Sequence, residues 1–73
     1  MFSCMYYRMN YRKFYYWKDE YNKTALRSNK QEAYNMANHY GERAITSGEK
    51  IGFDVSKIKH DLENIVIDWA SGR

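Results

Sequence analysis

A chain of 73 residues has room for a single small domain spanning 1–73, and a domain of that size buries only about 60% of the surface its unfolded chain exposes. Hydrophobic residues make up 44%, but eight of them are Tyr, whose hydroxyls need water or a partner, so the aliphatic and Phe/Trp core is thin. A formal charge of +3 attracts polyanions mildly, without the dense basic patch of many nucleic-acid-binding domains, and no run of about 20 apolar residues exists to span a membrane.

A core this thin is marginal alone, so association, as in a homodimer, is one way to complete it. The lone Cys4 cannot form an internal disulfide, which suits a reducing cytosol. Met1 to Met9 lacks the apolar stretch of a secretory signal, so a soluble, cytoplasmic chain is expected. Pro is absent and Lys, Asn, Ile, Tyr, Phe and Met are abundant, all with AT-rich codons, as in the low-GC genomes of many phages and mobile elements.

From Met5 the odd positions read Met5, Tyr7, Met9, Tyr11, Lys13, Tyr15 and Trp17, while the polar Arg8, Asn10, Arg12 and Lys18 fall on even ones, with Phe14 and Tyr16 as exceptions. This alternation predicts a strand, which aromatic density favours. A helical stripe through Tyr7, Tyr11, Phe14 and Lys18 is the competing reading. Lys18 to Glu20 is turn-compatible, and Tyr21 to Arg27 then returns as the second strand of an antiparallel hairpin, without a Gly or Asn-Gly turn to fix its register.

Ser28 and Gln31 match a capping box, with Asn29 and Glu32 one residue later, and predict a helix over 29–47. In it Ala33, Ala37, Gly41 and Ala44 recur at helical spacing, so the helix backbone can lie close to a layer of large rings. Met36, Tyr40 and Ile45 widen that stripe, and Gly48 is a candidate stop. Ile51, Phe53 and Val55 alternate with polar residues and suit a short third strand. Ser56 or Asp54 caps a second helix over 56–70, with Ile58, Leu62, Ile65 and Trp69 in register and Val66 beside them. The expected fold is α+β: an antiparallel hairpin or three-stranded sheet packed on two helices, in ββα(β)α order.

The chemistry-bearing residues are few. Cys4 lacks an evident base and reads as a small buried residue near the terminus. His39 and His60 lie on different predicted helices and pair with no Cys, Asp or Glu at metal or protease spacing. Asp61, Glu63 and Asp68 share a polar face with Lys57 and Lys59. The four glycines are isolated, so no phosphate-cradling loop is present. An enzyme is not expected, nor a cofactor or metal.

What remains is the aromatic and basic first third. On the strand reading, Arg8, Asn10, Arg12, Phe14, Tyr16 and Lys18 project from the face opposite the helices. Such a surface suits a protein interface, with rings as anchors and arginines pairing with acidic groups. It also suits a nucleic-acid platform, with bases stacked on Phe14 and Tyr16. Equally, Phe14 and Tyr16 are core residues if the last helix covers them. The leading expectation is a non-catalytic protein-binding adaptor or inhibitor, of the kind a phage uses to block a host complex. Its partner-binding residues are Arg8, Arg12, Phe14, Tyr16 and Lys18, and a small nucleic-acid-binding module is the alternative.

Overall fold

The computed structural model describes residues 2–72 and is helical throughout: α1 spans Phe2–Lys23, α2 Arg27–Lys50 and α3 Ser56–Ala70. The expected α+β fold is thereby corrected, since no strand occurs among the described residues. The first predicted strand and its turn are both α1, the second strand is the end of α1, the connection at 24–26 and the first residue of α2, and the third strand is the α2–α3 connection. The stripe that wins in α1 runs through Tyr7, Asn10, Tyr11, Phe14, Trp17 and Tyr21, spaced three and four apart, so that one side of a helix carries them all. Asn10, Phe14 and Tyr21 are fully covered, with Tyr7, Tyr11 and Trp17 half-buried around them.

The three-residue connection makes α1 and α2 antiparallel neighbours. Two cross-contacts, Tyr15 to Asp61 and Tyr21 to Asp68, advance along both helices together and so set α3 parallel to α1. The result is a rod of 39 × 17 × 14 Å, its long side close to the roughly 33 Å expected of a 22-residue helix. Among the described residues no helix is long and apolar enough to cross a membrane.

The small-residue stripe of α2 behaves as its spacing requires: Ala33, Ala37, Gly41, Ala44 and Gly48 are all buried. Large side chains come from the neighbours, Phe14 and Tyr21 from α1 and Ile58, Leu62 and Ile65 from α3. A Cβ on Gly41 would lie 2.9 Å from the Phe14 ring and 3.1 Å from Leu62. At Gly48 it would come within 2.5 Å of Val55 and 2.8 Å of the Tyr7 ring. Gly48 is therefore no stop but a place of close approach. Replacing a mid-helix glycine by alanine ordinarily gains about 1 kcal/mol. Gly48→Ala is expected to lose up to about 2 kcal/mol instead, because overpacking outweighs that gain; the urea midpoint measures it.

The helix ends also differ from the sequence reading. Leu26 occupies the N-cap of α2 with no side-chain cap bond, so the Ser28 box does not form; Ser28 is already in the first turn. At the C-terminus Gly52 takes a φ of 79°, its N–H donates to the Glu49 carbonyl and that of Phe53 to Gly48. This left-handed residue satisfies carbonyls that the helix leaves open. Asp54 accepts the Ser56 N–H at 3.0 Å and its hydroxyl at 2.6 Å, opening α3. Within α3 the predicted stripe buries Ile58, Leu62 and Ile65, whereas Val66 is exposed.

Candidate protein interface

Turning α1 into a helix redistributes its side chains. Arg8, Arg12 and Tyr16 are four apart and remain together on the solvent side. Phe14 is corrected: at 0% exposure it is core, and no partner can reach it. Lys18, one turn beyond Phe14 on the same side, is half-buried. Met5 and Met9, which a strand would turn inward, are 67% and 47% exposed. Met5, Met9, Arg12 and Tyr16 thus form a stripe at helical spacing down the outside of α1, flanked by Arg8. The outer side of α2 differs in kind, being built from Glu32, Asn35, His39, Glu42 and Thr46. A shallow groove lined by Tyr7, Tyr11, Arg8 and Arg12 borders the stripe on its α3 side.

Most cations of the chain are engaged internally. Lys13 lies over the Tyr40 ring, Arg27 over Trp69 at 3.7 Å, Lys30 over Tyr21 and Lys57 over Tyr15. Arg43 donates to the Tyr6 hydroxyl, and Lys23 and Lys59 pair with Asp19 and Glu49. Arg8 and Arg12 make no side-chain hydrogen bond, ion pair or ring contact of this kind among the described residues. Their charge is available to an external group.

Two hydrogen bonds clamp α3 onto α1. Tyr15 and Tyr21 each donate a hydroxyl to a carboxylate, Asp61 and Asp68 respectively, at 2.6 Å. Burial, then the bond to the carboxylate, then its charge raise both phenol pKa values well above the ordinary one near 10. The folded state thus favours the protonated phenols. Their contribution to stability is complete below about pH 10 and is lost as pH rises through and beyond it. Stability measured by urea should be level from about pH 8 to 9 and fall above about 10, and Tyr15→Phe/Tyr21→Phe should flatten that fall. An equal alkaline fall in the double variant would show that the clamps carry none of it.

Other candidates assemble no chemistry. Cys4 is half-buried, His39 and His60 are exposed, and His60 Nε2 lies 3.2 Å from the Asn64 amide. Asp61 and Asp68 face tyrosines of α1. The buried polar groups look inward: Asn10 donates to the Tyr6 carbonyl at 2.8 Å and Ser47 to that of Arg43 at 2.7 Å. Among the described residues no three metal-binding side chains converge and no buried side-chain polar atom lacks a partner. A wide depression beside α2, lined by Tyr6, His39, Glu42, Arg43 and Lys50, mixes both charges on an open surface. No protein-family model matches this chain, and neither a curated protein nor a solved structure matches it.

Proposed function

We propose that this protein is a non-catalytic protein-binding module, an adaptor or inhibitor, whose contact surface is the outer face of α1. One observation carries the reading: α1 turns three large apolar side chains to solvent beside two arginines that have no side-chain partner among the described residues. Aromatic, Met and Arg side chains are the types that anchor protein interfaces. Arg8, Arg12 and Tyr16 stay in the contact set, Met5 and Met9 join it, and Phe14 leaves it. The nucleic-acid alternative is weakened, since with Phe14 covered Tyr16 alone of its two stacking rings is presented. Blocking of a host complex by a phage-type accessory protein is the setting we favour, on size and codon-linked composition. The cytosol is its compartment in this reading, supported by the single Cys4.

The test is capture from a nuclease-treated lysate of a low-GC bacterium. Wild type should retain a discrete protein. Arg12→Ala/Tyr16→Ala should lose it by more than about tenfold, because truncating an interface anchor costs about 2 kcal/mol. His39→Ala/Glu42→Ala on α2 should retain it. Equal retention by both double variants, or recovery that disappears with nuclease, would overturn the reading.

A further inference from the structure

We infer that the partner meets α1 with an acidic amphipathic helix, its apolar seam interrupted by a carboxylate opposite Arg12. The inference rests on the protein-interface reading above and specifies its partner. Met5, Met9, Arg12 and Tyr16 recur at spacings of four, three and four, the pattern by which one helix packs along another. They form a ridge about 16 Å long, and every backbone amide beneath it past the first turn is held within the helix, so α1 offers no edge to an incoming strand. A second helix is the element whose grooves accept such a ridge.

Charge decides its sign. Between Phe2 and Lys18 the chain has Arg8, Arg12, Lys13 and Lys18 and no acidic residue. Lys13 leans over Tyr40 and Lys18 is on the core side, which leaves the two arginines on the contact face. Arg12 sits within the apolar stripe, between Met9 and Tyr16, so covering the stripe desolvates its guanidinium. That is unfavourable unless a carboxylate pairs with it, which a guanidinium fork does well. A lipid surface fits less well: the stripe could enter the acyl boundary only by carrying Arg12 with it, whereas interfacial helices keep their cations on the opposite face. A nucleic acid gains nothing from the two methionines. A second copy brings the same arginines to the same face and no acid to meet them before Asp19.

The full chain can be titrated, by fluorescence anisotropy, into labelled synthetic helical peptides of about three heptads. One has a Leu seam with Glu at its central seam position and flanks; the other has Lys at those positions. The Glu peptide should bind at least about tenfold more tightly than the Lys peptide, and Arg8→Glu/Arg12→Glu should reverse the preference. Both variants are at exposed positions, and circular dichroism checks that they fold. Equal binding of the two peptides overturns the inference, as does preferential binding of a single-stranded oligonucleotide or of phosphatidylserine vesicles, or a wild-type dimer that Tyr16→Ala dissociates. If neither peptide binds while Arg12→Ala/Tyr16→Ala still loses the captured lysate protein, the acidic helix is wrong and the interface reading stands. If that capture is also indifferent to the double variant, both fall.

Discussion

Phe14→Ala should cost about 3–5 kcal/mol and Tyr16→Ala, two residues away, less than about 0.5 kcal/mol. The contrast follows from the winding of α1. In a strand, residues 14 and 16 share a face and would respond alike; in a helix they point about 160° apart. Phe14 is fully buried, meets the Tyr15 ring edge-on at 4.8 Å and lies over the bare backbone of Gly41. Alanine there leaves a cavity between α1 and α2 that two stiff helices can close only in part. Against a total stability of about 5–15 kcal/mol for ordinary domains, and a small domain near the lower end, Phe14→Ala should be largely unfolded by far-UV circular dichroism. Similar urea midpoints for the two variants would be incompatible with this packing.

Leu62→Ala should cost about 2–5 kcal/mol. Leu62 is the residue of α3 that reaches the same point on α2, within 3.1 Å of where a Gly41 Cβ would stand. Because Leu62 and Phe14 share that contact, their losses should not add. Once either is gone the other can shift into the space, and a background stabilised enough to keep the double variant folded should show coupling of about 0.5–3 kcal/mol. Strict additivity there would mean that α3 and α1 pack on α2 independently.

Helices α2 and α3 are legible in the sequence because small or aliphatic residues recur at helical spacing among polar ones, leaving one period to fit. In α1 rings stand at 2, 6, 7, 11, 14, 15, 16, 17 and 21, so that either period finds aromatic residues wherever it needs them. Two features speak for the helix all the same. No glycine precedes Gly41, which leaves a hairpin without its turn, and an isolated two-stranded hairpin is marginal in water. The small-residue stripe of α2 then calls for a helical ridge as its complement. The candidate face was half legible for a geometric reason. Residues 8, 12 and 16 are four apart, an even step in a strand and about one turn in a helix, so both readings keep them together. Phe14 and Lys18 share only the even parity, and Met5 and Met9 share only the helical turn. The start of α2 is not legible from cap chemistry, because Leu26, an apolar residue, holds the N-cap and Ser28 lies within the first turn.

The stripe of alanines and glycines on α2 also determines how this protein can change. The large side chains buried at the centre come from α1, α3 and Val55 of the connection before α3, while α2 gives that layer only its small residues and flanks it with Tyr34, Tyr40 and Ile45. A side chain on α1 or α3 can be exchanged for another of similar bulk with adjustment among its neighbours. At Gly41, where Phe14 and Leu62 both close on the backbone, and at the buried Ala33, Ala37 and Ala44, a larger residue must displace the side chains packed against it. Sequence drift should therefore be lopsided: α1 and α3 can trade one large apolar residue for another, whereas α2 is held to the smallest side chains available, and a lineage that loses that smallness must rebuild the entire bundle around it.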